Sequence, residues 1–337
     1  MSAARVDLGR HLFYDRRLSG NGTQSCADCH RQELAFTDGR ARAVGSTGLL
    51  HSRGAMALVN LAYQPAYGAV DPALRTLERQ AREPLFGEDP VEMGARGHEA
   101  AIEARLAAEP RYLTLFPAAF PADPRPVRLD NAIHAIAAFQ RTLVSGRSPY
   151  DRLVFDGDGA ALHPAAREGM RLFFSPRLGC SGCHEGVGFG GGLALPDRAA
   201  EPLYVANGLG GEGLALTTGR PEDRGRFRVR TLRNVGVTAP YMHDGRLPTL
   251  EAVIRHYEEG GEPGAPRDPR MPAFRLTPAE RAALVAFLES LTDEEFLRDP
   301  RHADPWSVAP HPEPHRHPRP AGRPAATRIT TPAAPGA

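Results

Sequence analysis

Cys26-Ala27-Asp28-Cys29-His30 and Cys180-Ser181-Gly182-Cys183-His184 are two copies of one uncommon pentapeptide, Cys-x-x-Cys-His, and they hold all 4 cysteines of the 337-residue chain. In such a pentapeptide the two thiols can form thioethers to the vinyl groups of one haem. The histidine that follows then lies beneath the iron as its proximal ligand. Two rival readings fit less well. A zinc ribbon keeps its cysteine pairs roughly 15–20 residues apart, whereas Cys29 and Cys180 are far more distant. A thioredoxin-type dithiol belongs to a βαβ unit, and neither motif follows a strand pattern. The chain is therefore read as carrying two covalent haem c groups, one on Cys26, Cys29 and His30, the other on Cys180, Cys183 and His184.

The two motifs have similar approaches. Leu8-Gly9-Arg10-His11-Leu12-Phe13 precedes the first, and Glu168-Gly169-Met170-Arg171-Leu172-Phe173-Phe174 precedes the second. Each reads as a short amphipathic helix entering a Gly-containing loop, a weak internal repeat. Residues 130–144 carry Ile133, Ile136, Ala137, Phe139, Gln140 and Leu143 at helical spacing, and Ser145-Gly146-Arg147-Ser148-Pro149 breaks that helix. A second strong helix opens at Thr277-Pro278-Ala279-Glu280, with Thr277 as N-cap, Glu280 completing a capping box and Pro278 in the first turn.

Little of the chain alternates with β periodicity, while 35 Gly and 32 Pro mark many loops. The expected fold class is all-α: two cytochrome c-like haem domains with long loops, at residues 1–146 and 147–298. Residues 299–337 are Pro- and His-rich and read as a disordered tail. His311, His315 and His317 in that tail could bind metal, but the composition favours disorder.

A net charge of +1 points to neither nucleic acid nor an anionic membrane surface. No apolar run approaches the ~18 residues of a membrane span. Met1 runs directly into folded-looking sequence around residues 6–13, with no visible signal peptide. Bacterial c-type cytochromes acquire haem outside the cytoplasm, so a periplasmic location is expected, the leader having been removed or the start assigned too late.

Beyond the pentapeptides, three stretches resemble the bacterial diheme cytochrome c peroxidase superfamily, which includes the MauG-type maturation enzymes. They are LFYDRRLSGNGTQSCADCHRQELAFTDG (12–39), LERQAREPLFGEDPVEMG (77–94) and RTLRNVGVTAPYMHDGRLPTLEAVIRHY (230–257). The first is most like the MbnH-like, methanobactin-associated subgroup, whose members act on a small partner protein encoded beside them. The resemblance implies that the N-terminal haem reacts with hydrogen peroxide and the C-terminal haem relays electrons.

Carried over by motif, Gln80 and Pro84 belong to the distal pocket of the first haem, and Glu92 is its distal acid. A carboxylate there can move a proton from one peroxide oxygen to the other, while Gln80 can hold peroxide or water without adding charge. Conventional peroxidases block this iron with a histidine seven residues before an Arg. With that Arg at Arg53 and the family Asn at Asn60, the blocking position holds Ser46. His51 lies nearby but out of register. The first haem is therefore expected to be five-coordinate.

At the second haem, alignment on Pro240 brings Tyr257 to the position of the distal ligand, with Met271 of Met271-Pro272 as the alternative. A thioether there would raise the potential. The resemblance also implies a calcium ion held by Asn60, Thr238 and Pro240, oxygen donors of the kind calcium requires. The family's usual inter-haem Trp is missing: that region reads Tyr67-Gly68-Ala69-Val70, and the 1 Trp of the chain is Trp306. Tyr67 or Tyr63 could substitute, or electrons could tunnel directly.

Three functions follow. The first is a peroxide-dependent oxidase acting on a residue of a small periplasmic protein. The second is a cytochrome c peroxidase fed by a small donor such as a cytochrome or cupredoxin. The third is a non-enzymatic electron carrier, which would leave Gln80, Pro84 and Glu92 without purpose.

Overall fold

The computed structural model describes residues 1–192 and 201–307. The first half contains α1 (Ala3–Phe13), α2 (Cys26–Cys29), α3 (Leu77–Gln80), α4 (Arg82–Phe86), α5 (Glu99–Ala107), α6 (Tyr112–Ala119) and α7 (Leu129–Gln140). The second contains α8 (Pro149–Phe155), α9 (Pro164–Phe173), α10 (Ala215–Thr218), α11 (Leu250–Glu259), α12 (Pro278–Glu289) and α13 (Glu294–Arg298). Among the described residues the one sheet is a two-stranded antiparallel ribbon, β1 (Tyr204–Ala206) on β2 (Arg226–Arg228). The molecule is mostly helical, as the sequence pattern implies.

Two helix pairs carry the architecture, α1 on α7 and α9 on α12. A glycine makes each crossing possible. A Cβ on Gly9 would lie 1.9 Å from the Ala135 carbonyl oxygen, and one on Gly169 would lie 1.9 Å from the Ala283 carbonyl oxygen. Backbones that close leave no room for a side chain. The crossings bury matching aromatics: Phe13 meets Phe139 at 5.3 Å between ring centroids, and Phe173 meets Phe287 at 5.1 Å.

The buried apolar residues form two clusters. One holds residues from Leu8 to Leu143 together with Phe296 and Leu297, and the other runs from Leu172 to Leu291. The expected capping box of α12 is present, with Glu280 N–H donating to Thr277 Oγ1 and the Glu280 carboxylate accepting from Thr277 N–H. Its counterpart α7 follows Arg128, which makes no side-chain cap. Glu103 of α5 supplies one instead, accepting from Leu129 N–H at 2.9 Å.

The break itself is a buried polar hub. Asn60 and Asn234 both adopt left-handed backbone (φ 56° and 60°), a conformation asparagine tolerates better than most residues. Asn60 donates its backbone N–H to Leu143 O, and Asn234 donates its own to Leu291 O. The Asn60 side chain then accepts from Ser145 N–H and donates to Ser145 O, both at 2.9 Å. Asn234 Oδ1 accepts from Asp293 N–H at 2.8 Å, and its Nδ2 donates to Ser145 Oγ at 3.0 Å. Asp293 Oδ2 closes the hub by accepting from Gly146 and Arg147 N–H groups. Buried polar groups are tolerable because they are satisfied.

The chain end departs from the expected plan. Phe296 and Leu297 of α13 belong to the first cluster, so residues 293–307 follow the second core in sequence yet pack on the first. Gln32 Nε2 donates to Asp299 O, Tyr14 Oη to His302 O, and Trp306 Nε1 to His11 O. The tail expected from residue 299 is thus anchored through residue 307 by ordinary hydrogen bonds and apolar burial. His311, His315 and His317 lie outside the described residues. No described helix is long and apolar enough to cross a membrane.

Candidate active site: two histidines on one cavity

A continuous cavity of about 790 Å³ separates the two cores and is lined by both pentapeptides. His30 and His184 enter it in the same way. His30 Nδ1 donates to Phe36 O at 2.7 Å, and His184 Nδ1 donates to Phe189 O at 3.0 Å. This fixes the tautomer and leaves Nε2 as the nitrogen able to ligate a metal. The acceptor is costly in both halves. Phe36 (φ 61°) and Phe189 (φ 49°) are bulky residues held in left-handed backbone, a strain on the order of 1–3 kcal/mol. Burial lowers the pKa of both imidazoles, opposed by those hydrogen bonds, and so favours the neutral, ligating form.

These residues fit haem rather than zinc or a redox dithiol. All four thiols are free. Burial pushes Cys26 up to about 12, Cys29 up to about 11 and Cys180 up to about 12. A dithiol that exchanges electrons has a lowered thiol pKa instead. Among the described residues no group of three His, Cys, Asp or Glu side chains converges as a metal site.

The cavity also holds unneutralised positive charge. Arg53 and Arg230 line it with no side-chain partner among the described residues. Burial, with Arg228 and Arg53 nearby, drives the Arg230 guanidinium well below its usual pKa. Burial also brings Arg228 down to about 10. Guanidinium groups drawn from bulk solvent without an anion are expensive, and the carboxylates of a haem would compensate them. Sequence reading missed this cluster because arginines of a solvated surface look the same.

Gln80, Pro84 and Glu92 line the cavity, and the Glu92 charge is close enough to raise the His30 imidazole against the lowering by burial. Thr76 caps α3, whose last residue is Gln80, and Pro84 lies in the first turn of α4. Pro84 O accepts from Met93 N–H at 2.9 Å, and Glu92 O accepts from Ser46 N–H at 2.7 Å. The loop bearing Glu92 is therefore tied on both sides. Ser46, at the expected blocking position, does not line the cavity. His51 does, and its Nε2 lies 3.3 Å from Glu92 Oε1.

Tyr257, Met271 and Met242 also line the cavity, Tyr257 close to Cys180 and Cys183. Tyr257 projects from α11, and burial pushes its phenol up to about 12, with the Asn207 side chain opposing. Asn207 Nδ2 also reaches Met242 Sδ at 3.5 Å. Both ligand candidates, Tyr257 and Met271, line the cavity, and Tyr257 lies close to the cysteines of the second pentapeptide.

Thr238 and Pro240 line the cavity but Asn60 does not. Its carboxamide is engaged by Ser145, as Asn234 is engaged by Asp293 in the other half. The three expected calcium donors are not brought together on the cavity wall. Tyr67 lines the cavity and donates to Leu61 O at 3.1 Å, whereas Tyr63 is 42% exposed and lies off it.

Comparison with known proteins agrees with this geometry. Residues 3–159 match the family model described as di-haem cytochrome c peroxidase, and residues 166–292 match cytochrome c. The methylamine utilization protein MauG of Methylorubrum extorquens is 37% identical over 295 residues, 87% of this chain and 80% of that protein. The cytochrome-c peroxidase IdrP1 of Denitromonas iodatirespirans is 36% identical, over 90% of this chain and 85% of its own. The crystal structure of a MauG-like protein associated with microbial copper homeostasis superposes with a TM-score of 0.87 at 42% identity, covering 91% of this chain and 94% of that one. A diheme oxidoreductase is the class that fold and site define. The chain belongs to the di-haem cytochrome c peroxidase/MauG family.

Proposed function

We propose that the protein uses hydrogen peroxide at its N-terminal haem and draws the electrons, through its C-terminal haem, from a residue of a partner protein outside the cytoplasm. The observation that carries this reading is the inequality of the two cavity ends. Glu92 lies close enough to raise the His30 imidazole against the lowering by burial, and Tyr257 lies close to Cys180 and Cys183; on this reading Gln80 and Pro84 go with the first histidine and Met271 with the second. When bound, the first haem supplies peroxide O–O cleavage and the second supplies electron relay. Each peroxide takes up two electrons and two protons to give two waters.

The chain's own residues do the rest. His30 and His184 present Nε2 from a fixed tautomer. Gln80 holds the oxidant by hydrogen bonds. Glu92 takes the proton of one peroxide oxygen and delivers it to the other, the kind of transfer worth roughly 10²–10⁴-fold in rate. Tyr257 or Met271 closes the second site, with Tyr257 favoured. Calcium enters this reading only through Thr238 and Pro240. Tyr67 is a poor relay, because its hydroxyl faces a carbonyl too weakly basic to take a proton.

Similarity to two MauG-type proteins supports a protein substrate, and similarity to a cytochrome-c peroxidase supports the second reading, in which a small redox protein donates the electrons. The test is the ferric EPR spectrum before and after one equivalent of peroxide, followed by the mass of the protein encoded alongside. One high-spin and one low-spin haem, both altered by peroxide, with a mass change in that partner, is the expected outcome. Two low-spin haems indifferent to peroxide would sink it. Fast turnover of a reduced cytochrome or cupredoxin without a mass change selects the second reading.

A further inference from the structure

Glu92 is the distal acid of the proposed reaction, and nothing in its own loop aims its carboxylate. The group that does so comes from a different loop. Residues 43–53 form a tight hairpin: Val44 and Leu50 bridge, Ala43 N–H donates to Arg53 O, His51 N–H donates to Ala43 O at 2.7 Å, and Arg42 Nε donates to His51 O at 2.7 Å. The hairpin is locked onto the Glu92 loop through Ser46 N–H to Glu92 O. Gly45 permits that contact, since a Cβ there would lie 1.9 Å from Val91 O. His51 is therefore held in position by backbone bonds, not by its side chain.

One ring nitrogen is hydrogen-bonded and the other lies beside Glu92. Arg53 N–H donates to Nδ1 at 3.1 Å, so Nδ1 carries no proton. In neutral imidazole the proton is then on Nε2, which faces Glu92 Oε1 at 3.3 Å. His51 thus presents an N–H beside Glu92, at ion-pair distance, and has no free lone pair for iron in this arrangement. That tautomer explains why a histidine beside the distal pocket need not close it.

We infer that His51 is the positioning residue of Glu92: its Nε2–H fixes one carboxylate oxygen and so turns the other toward the oxidant. This rests on the peroxide reading of the first haem. A group acting through a partner in this way contributes about 10–100-fold, less than the partner itself.

The experiment uses the haem-loaded protein and four variants: His51→Ala, His51→Gln, Glu92→Gln and the His51→Ala/Glu92→Gln double. Three rates are read at the first haem. Peroxide must move a proton to react, hydrogen cyanide must shed its proton to bind, and nitric oxide needs no proton transfer. His51→Ala is expected to slow peroxide and cyanide together by about 10–100-fold and leave nitric oxide unchanged. His51→Gln, which keeps a donor at similar reach, should recover most of that loss. In the Glu92→Gln background His51→Ala should add nothing, since residues acting as a unit are not additive. The inference is overturned if His51→Ala matches the parent, if nitric oxide falls in parallel, or if the loss is as large without Glu92. Should the parent ignore peroxide, the peroxide reading fails. The cyanide rates still judge the pairing.

Discussion

The two halves of this molecule share a scaffold and differ in what they aim at the haem. Gly9 and Gly169 admit the helix crossings, Phe13 and Phe173 fill them, and Phe36 and Phe189 turn a carbonyl toward the proximal histidine. Asn60 and Asn234 tie each half to the 145–149 hub. All of this lies on the proximal side or in the frame. Across the cavity the halves diverge: loop 43–53 and the α3–α4 segment would serve one haem, and α11 with the Met271 loop the other. A repeat that keeps its frame and changes its distal loops can keep two cofactors alike in attachment and unlike in reactivity.

The most severe break of that contrast is Glu92→Gln. It keeps size and hydrogen bonding but removes the proposed proton carrier. The peroxide rate, measured by stopped-flow absorbance, should fall by about 10²–10⁴-fold with the resting spectra unchanged. Tyr257→Phe should do the reverse, altering the low-spin signal while changing the first peroxide encounter only a few-fold. If the six-coordinate spectrum survives Tyr257→Phe, the ligand is Met271. If Glu92→Gln reacts at the parent's rate, the two ends are not divided as proposed.

Shared scaffolding makes a second, smaller prediction. Gly9→Ala and Gly169→Ala each drive a methyl into a partner-helix carbonyl 1.9 Å away. Each should cost at least the upper part of the roughly 1–3 kcal/mol typical of overpacking, seen as a lower midpoint in thermal unfolding. Similar losses in both halves support a common crossing. Tolerance at one site alone would mean that its helices are free to separate.

What could be read in advance follows the range of the interactions. The haem pentapeptides and the Thr277–Glu280 box are contiguous signals, so residue type and spacing reveal them. Gln80, Pro84 and Glu92 needed a family likeness, because a loop carboxylate alone resembles any solvated one. Contacts between distant segments left no trace. His51 was noticed only as an out-of-register ligand, since its tautomer depends on Arg53 N–H and its partner lies in another loop. The return of Trp306 to the first core was hidden by surrounding prolines and histidines that suggest disorder. Asn60 drew notice as a calcium donor, whereas its equivalence to Asn234 emerges only from the matching bonds to Leu143 and Leu291.

That equivalence can be tested on stability. Asn60→Ala and Asn234→Ala each strand buried backbone groups at the hub, and each should cost about 2 kcal/mol in denaturant unfolding. The two losses should be similar and indifferent to a calcium chelator. If the Asn60→Ala loss disappears once chelator is present, Asn60 serves a bound cation and the halves differ here too.

The smallest effect concerns how the equivalent helices α7 and α12 begin. The Arg177 hydrogen bond and ion pair, with the Thr277 N–H, hold the Glu280 carboxyl down at about 2, from an ordinary 4.5. A lowered folded-state value means stability that is present above pH 4.5 and is lost as pH falls through about 2. Glu280 lies at the surface, half-buried against an exposed Arg177, so the effect is modest and weakens with salt. Glu280→Gln keeps the capping geometry and abolishes the titration. Thermal midpoints of the parent and this variant should therefore converge as pH falls from about 4.5 toward 2, the variant lying lower at neutral pH. On α7 the cap comes from Glu103 of another helix, so Glu103→Gln tests tertiary rather than local capping. A constant gap between parent and Glu280→Gln across that pH range would show that the second half gains nothing from its ionised cap.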